Sequence, residues 1–407
     1  MKKILILGVG AQGSTVAQRM DEEPNVSEII CADYDERAVN ELVGILKKGK
    51  GMKVDASDIE SIKAAAKGVD LIVNGLPLQF GKNVLEAALA VKTNYQDFAA
   101  TESIHKDWVE GIKIMYDVYD KRFKEIGKTA VIATGSAPGL ICAAARHTMR
   151  YLDTCDTIYN IVYEGVEAKR FLPFWWSPVT ALSDMGGIPN AFENGEMIQT
   201  EPFGRPIYRT YDYVGKEIRF VEHDHDEPVH MGLNAKEFFK GAKNIYFKYA
   251  GAGVDFAEPL YRAGLLSKKP EIINGKEIIP FDVVLKHIPP APKYREEIKE
   301  IIEEGLVSDS GAMVVEAIGE KDGKKIKAET HVFAPGLVES FERAGITSEM
   351  YLTGQGGALF TKMFVEDQFT QTGLISSDML TFDQVDYYFQ CAAKLDITLE
   401  TKVTELK

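Results

Sequence analysis

The stretch KILILGVGAQG, Lys3 to Gly13, decides the fold of the first third of this chain. Ile4 to Leu7 form an unbroken apolar run, as expected of a parallel strand buried on both faces. Gly8, Gly10 and Gly13 then follow in the pattern G-x-G-x-x-G. Each glycine has its own task. Gly8 permits a tight turn off the strand, Gly10 lets the backbone approach a pyrophosphate, and Gly13 lets a helix pack close to the strand. Ser14 to Met20 reads as that helix. Its first amides, with Ala11 and Gln12 in the turn, would present donors and a positive dipole end to an anion.

Outward from the turn, strand and helix text alternate. Ser27 to Asp33 (SEIICAD) reads as a strand and Glu36 to Lys48 as a helix. Lys53 to Asp55, Val69 to Asn74, Thr93 to Phe98 and Thr129 to Thr134 read as further strands, with helices between them and a long one over Trp108 to Ile126. This alternation predicts βαβ units on a parallel sheet. Asp33 ends the second strand about 20 residues after Gly13, where an acid accepts the adenosine ribose hydroxyls. A carboxylate there repels a 2′-phosphate, so NAD is the expected cofactor. Arg37 nearby leaves NADP open. Asn74, Leu76 and Pro77 follow the fourth strand and are placed on a loop facing the cofactor; an ordinary βα turn is the alternative. Asp55 is open to an adenine contact or to a local capping role.

After about residue 155 the pattern changes. Thr157 to Glu164 alternates like a half-exposed strand, and Asn194-Gly195, Gly215-Lys216 and Asp322-Gly323 read as turns between strands. Helical text returns at Glu296–Glu304, Leu337–Arg343 and from about Gly356. The expected architecture is α/β: an N-terminal Rossmann domain with a parallel sheet over 1–135, an inserted α+β domain with a mixed or antiparallel sheet over 136–350, and a helical C-terminal return over 351–407.

Composition bounds the function. The chain has 407 residues, 45% apolar, and a net charge of −14, which leaves no general basic excess for nucleic acid. Cys31, Cys142, Cys155 and Cys391 form no CxxC pair, so reduced buried thiols are expected. The apolar run after Met1-Lys2-Lys3 is too short for a leader. No stretch approaches the roughly 20 apolar residues of a membrane span. A cytoplasmic protein acting on a small molecule is expected, with no nucleic acid and no membrane partner.

At this point the chain resembles the saccharopine dehydrogenase-like superfamily. The similar segments run in order: Gly8 to Gly13, Asn74 to Pro77, Asn94-Tyr95-Gln96-Asp97, Gly135 to Leu140, Trp176-Ser177-Pro178, Glu193 to Glu196, His225-Asp226-Glu227-Pro228, Thr353-Gly354 and Gly373-Leu374-Ile375. The resemblance implies hydride exchange between nicotinamide and a CH–NH carbon, with a saccharopine- or lysine-like substrate as the first expectation. A polyamine-forming enzyme of the carboxynorspermidine or homospermidine type is the second, and a non-catalytic NAD(H) sensor the third. It also implies a homodimer, with the middle sheet as the contact surface.

Proton exchange on nitrogen requires groups near the reacting carbon. Asp97, at the C-terminal end of a strand, is the first candidate, against a role as a loop acceptor. His225 and Glu227 follow, as a proton-shuttling imidazole and the acid that orients it; an exposed polar edge strand is the alternative. The run His223 to Glu227 with His230 has spacing that permits a metal, but no metal is expected. Trp176, or Trp175 beside it, is open to stacking on an amine or to core packing. Arg170, Arg205 and Arg209 are candidates to clamp a substrate carboxylate. A pocket lined instead by acids such as Glu164 and Asp184 would point to a polyamine.

Overall fold

The computed structural model describes residues 1–99 and 104–407. They form two compact units, one of Met1–His147 with Leu352–Leu395, the other of Thr148–Tyr351 with Asp396–Lys407.

The first unit is built on a seven-stranded parallel sheet. Its order is Gly373–Ser376, Thr129–Ile132, Asn94–Asp97, Leu71–Asn74, Lys2–Leu7, Val26–Asp33, Gly49–Lys53. Ile4 to Leu7 are at most 1% exposed, so this central strand is covered on both faces, as its unbroken apolar run requires. Burial of each such side chain contributes about 1.5–3 kcal/mol. The chain order reverses beside Lys2–Leu7, so the turn after Leu7 and the loop after Asn74 meet there, where doubly wound sheets bind ligands. The third strand lies one step earlier than its sequence suggests, at Gly49–Lys53. It is an edge strand with little apolar text to announce it.

The second unit holds a nine-stranded mixed sheet. The main path is Ile207–Thr210, Glu217–Glu222, Asn244–Gly251, Thr154–Ala168, Leu306–Lys321, Lys324–Phe333, Thr398–Glu405, and the hairpin Asn190–Glu193/Glu196–Gln199 adds to Asn244–Gly251. Only Asn244–Gly251 and Thr154–Ala168 run parallel; the other pairs are antiparallel.

The division of the chain departs from the expected boundaries in two places. The first break falls after His147, because Leu140 to Ala145 are fully buried within the first unit. The C-terminal segment is not wholly a helical return. Gly373–Ser376 adds a parallel strand beside Thr129–Ile132, but Thr398–Glu405 pairs antiparallel with Lys324–Phe333 and belongs to the second sheet.

The glycine turn is sterically exact in two of its three positions and open in the third. A Cβ on Gly13 would stand 1.9 Å from the Gly8 carbonyl oxygen, and one on Gly8, whose φ is +85°, would stand 2.7 Å from the Gly75 oxygen. A Cβ on Gly10 would meet nothing within 4 Å. Gly13→Ala is therefore expected to destabilise the fold by at least about 1–3 kcal/mol, the usual cost of overpacking. Gly10→Ala should melt with the wild type. Thermal denaturation of the two variants side by side checks this, and equal melting temperatures would contradict it.

Candidate functional site

Two sets of residues are assembled, one in each unit. In the first, the helix Ala11–Asp21 starts directly after the glycine turn, with Gly10 at its N-cap. No side chain caps its amides and no acid occupies its first turn. Its N–H groups and dipole face the open space at Gly10, so the cradle fits a dinucleotide pyrophosphate. Asp33 lies beside it: Oδ2 accepts the Val9 N–H at 2.9 Å and Oδ1 the Asp35 N–H at 3.0 Å. Each carboxylate oxygen has further acceptor capacity, which suits ribose hydroxyls. Arg37 is exposed and its Nε pairs with Glu41 at 2.8 Å.

The other expected cofactor residues are engaged locally. Asp55 is exposed and accepts the Ser57 hydroxyl at 2.6 Å and the Ser57 amide, which hold its carboxyl below the usual range. It shapes its own turn. Asn74 is 6% exposed; its Oδ1 accepts the Leu76 N–H and its Nδ2 donates to the Tyr95 hydroxyl at 3.0 Å. Leu76 is thus held by Asn74, and Pro77 is exposed on the same loop.

Asp97 continues that chain. Tyr95 donates to its Oδ2 at 3.0 Å, and the Ala133 amide donates to its Oδ1 at 2.8 Å. Asp97 is 3% exposed. Ala133 has φ of 61°, a left-handed conformation unusual for alanine, and Asp97 fixes it there. A buried carboxylate occupied in this way ties strand ends together. Its geometry favours the structural alternative over a proton-exchanging one.

The second set lies on one face of the mixed sheet. Residues two apart on a strand share a face, and the register aligns Tyr249 with Val162 and Val221. Glu164, Phe247 and Tyr249 therefore project together. His223 and His225 follow the end of Glu217–Glu222 and stack on these rings: His223 on Tyr249 at 4.7 Å between centroids, His225 on Phe247 at 4.1 Å and 8°. Trp176 donates its indole N–H to Glu164 Oε2 at 3.3 Å. The next residue, Ser177, caps the helix Pro178–Gly186 with Pro178 in its first turn, which fixes the direction of the Trp176 segment. Trp175 instead packs in a core cluster with Leu172, Ile298, Ile301 and Leu337.

Glu227 opens the helix Glu227–Leu233, with Pro228 in its first turn. Its side chain is fully buried, and Oε2 meets His225 Nδ1 in a short hydrogen bond. The alternative of an exposed edge strand is thereby excluded. Burial disfavours charge on His225, but Glu227, Asp226 and Asp184 outweigh it and push the imidazole up to about 9. That shift favours the imidazolium form of His225 at pH 7. His223 is held well below the usual histidine range by burial and by His225, and burial pushes His230 down to about 3. Among the described residues no three His, Cys, Asp or Glu are grouped to hold a metal ion.

Glu349 completes the site and had no signal in the sequence. It lies in the first turn of the helix Ser348–Val365, where the Thr347 hydroxyl accepts the Met350 amide. Burial and the Glu164 carboxylate hold its pKa well above the usual range. Burial likewise raises Glu164, against the Tyr249 hydroxyl, the Trp176 indole and His225.

The arginines are elsewhere. Arg209 forms a two-pronged pair with fully buried Glu316 at 2.7 and 2.8 Å and lies over Tyr159. Arg205 pairs with Glu193 and Glu222 and lies over Tyr246. Tyr159 and Tyr246 stack on each other on the face opposite Glu164 and Tyr249. Arg170 is bound to Glu304 and Glu300 of the helix Arg295–Glu304. Each of the three guanidiniums is paired with protein carboxylates.

Residues 4–131 match the family described as the saccharopine dehydrogenase NADP binding domain. The carboxynorspermidine synthase of Vibrio alginolyticus is 25% identical over 310 residues, covering 71% of this chain and 73% of that one. The carboxyaminopropylagmatine dehydrogenase of Synechocystis is 22% identical and covers 94% of each chain. In fold, the L-Glu-forming saccharopine dehydrogenase of Saccharomyces cerevisiae superimposes with a TM-score of 0.70 at 14% identity, over 99% of this chain and 100% of that one. No helix among the described residues is long and apolar enough to cross a membrane. Residues 4–131 thus match a saccharopine dehydrogenase NADP binding domain, and the chain as a whole shares the fold of a saccharopine dehydrogenase.

Proposed function

We propose that the chain interconverts an imine and a secondary amine of polyamine type, joining an amine-bearing chain to a carbonyl compound. One observation carries this: Glu164, which accepts the Trp176 indole N–H, and Glu349 bear on each other electrostatically with no lysine or arginine partner among the described residues, while Arg170, Arg205 and Arg209 are each paired with protein acids. A saccharopine- or lysine-like substrate would call for a free carboxylate clamp. A polyamine calls for acids and aromatic faces. The names of the two curated relatives support the polyamine alternative.

The bound nicotinamide supplies or accepts the hydride at the carbon bearing nitrogen. The chain's own residues do the rest. Glu164 and Glu349 accept hydrogen bonds from an ammonium, and the Trp176 ring covers it. Glu227 holds Nδ1 of the His225 imidazolium, leaving Nε2–H as the proton donor when water leaves the carbinolamine. As that proton is lost the imidazole becomes neutral, and the reverse reaction returns it.

Purified protein incubated with NADH or NADPH, an α,ω-diamine and a panel of small aldehydes should consume reduced nicotinamide in a diamine-dependent way. Glu164→Gln should lose about 10–100-fold in kcat/KM for the diamine, the value of a hydrogen bond to a charged group, with NADH affinity unchanged. Oxidation of lysine or saccharopine without any diamine-dependent turnover would overturn the polyamine assignment.

Asp33 should select NADH over NADPH by at least about tenfold in Kd, a difference of about 1.4 kcal/mol. Fluorescence titration of both cofactors measures this without turnover. Asp33→Asn should narrow the gap, and a preference for NADPH in the wild type would refute the role given to Asp33.

The His225–Glu227 pair sets a pH window. Its histidine is raised from 6.5 to about 9, so the pair's contribution to stability is full below about 6.5 and lost as pH rises through about 9. The amine-forming rate should fall over the same upper limb. Glu227→Gln should move that limb down by about 1–3 units; a profile unchanged in the variant would remove His225 from the proton transfer.

A further inference from the structure

His225 stands in a short irregular segment. The strand Glu217–Glu222 has ended and the helix Glu227–Leu233 has not begun, so no backbone ladder orients its side chain. Two contacts do. Glu227 holds the ring by its edge, through the short hydrogen bond at Nδ1. Phe247 holds it by its face: the two planes are 8° apart and the centroids 4.1 Å. Phe247 is 3% exposed and belongs to Asn244–Gly251, a strand paired with Glu217–Glu222 on one edge and Thr154–Ala168 on the other. It is a rigid support. The edge bond alone would leave the imidazole free to tilt about the line of that bond. The face contact alone would leave it free to slide in its own plane. Together they leave Nε2 one direction.

The stack carries a second sign. Neutral aromatic rings settle about 4.5–7 Å apart, offset or edge-on, because their negative faces repel. The neighbouring pair His223–Tyr249 keeps to that range, at 4.7 Å and 23°. His225 and Phe247 lie closer and flatter, the arrangement in which a cation over a ring face gains from the ring's quadrupole.

We propose that Phe247 is the positioning residue for His225, its face supporting the imidazole that Glu227 grips by the edge, so that Nε2–H is held where it donates. This rests on the proton-donor role proposed above and adds the residue that keeps the donor in place. The charged groups around the ring come from several elements. Glu227, Asp226 and Asp184 favour the positive charge, Glu164 faces it from the strand Thr154–Ala168, and His223, at 5.6 Å, is held neutral beside it. Phe247 carries no charge. Its replacement leaves all of these in place and isolates the effect of the ring.

The test follows the imidazole itself. In full-length protein made with isotope-labelled histidine, the His225 ring resonances, assigned by their loss in His225→Gln, are titrated by NMR beside the pH profile of amine formation. Phe247→Leu keeps the position apolar and removes the face. The His225 midpoint should fall by about one pH unit, the size of a partly desolvated cation–π contact, and the upper limb of the rate should fall with it. kcat should drop about tenfold while KM for the amine stays within about twofold. Phe247→Tyr, which keeps the ring, should retain the wild-type midpoint. A midpoint and limb unmoved in Phe247→Leu would overturn the positioning role even where kcat falls, because lost packing slows a reaction without moving a titration. The wild type decides the matter where the leucine variant does not fold. Its His225 ring C–H resonances should lie upfield of those of exposed His287, under the ring current of Phe247, and equal positions would overturn the stack. A wild-type limb that does not follow the His225 titration would overturn the donor role itself, and this inference with it.

Discussion

No side-chain atom fits between the Gly8 carbonyl and the α-carbon of Gly13. That approach sets how closely the first helix lies against the central strand. The same Gly8 is pressed from the other side by the Gly75 carbonyl, so two loops from neighbouring strands are locked at the sheet's reversal point. Once these contacts are satisfied, the amides of Ala11–Asp21 have one direction to face and Gly10 is left bare. The cofactor cradle is a consequence of packing forced by two glycines and exposed by a third. It was legible in the sequence because glycine is the one residue whose absence of a side chain is itself information.

The polar residues at the other strand ends were legible as positions and not as roles. Asn74 and Asp97 stand where the text placed them, at the C-terminal ends of adjacent strands. What sequence could not supply is the phenol between them. Tyr95 reads as a core aromatic, and it is one, with no exposure at all. Its hydroxyl must still find partners, and it takes one from each neighbour. That demand converts two candidate ligand-facing groups into structural acceptors and donors. The left-handed Ala133 is held by the same network. A polar residue at a strand end is free for chemistry only after buried neighbours have been satisfied, and those neighbours come from other strands.

In the second unit the limiting fact is parity. Turns at Asn194-Gly195 and Asp322-Gly323 were readable and lie where expected, between strands. The terminal strand Thr398–Glu405 was missed, although its β-branched alternation carries the period of a sheet edge. Which face each strand buries depends on register between strands far apart in sequence. Arg205 and Arg209 were sound candidates by chemistry, but they cover the tyrosines of the opposite face. Glu349 gave no signal because nothing local distinguishes it from any acid in a helix's first turn.

The two faces then carry opposite electrostatic solutions to one problem. On the arginine face every buried acid meets a cation: Glu316 meets Arg209, and Glu222 meets both Arg205 and Lys248. Such pairs offset their own desolvation and gain little beyond that, so they hold the sheet without inviting a ligand. On the other face the charges do not cancel. Glu227 is matched by His225, but Glu164 and Glu349 press on each other and are met by aromatic edges and donors instead of a side-chain ammonium. Among the described residues no lysine or arginine forms an ion pair with Glu164, Glu227 or Glu349. The unbalanced acids have two ways to lower their energy, by taking up a proton or by taking up a cation. On the function proposed above, the amine of the substrate is that cation.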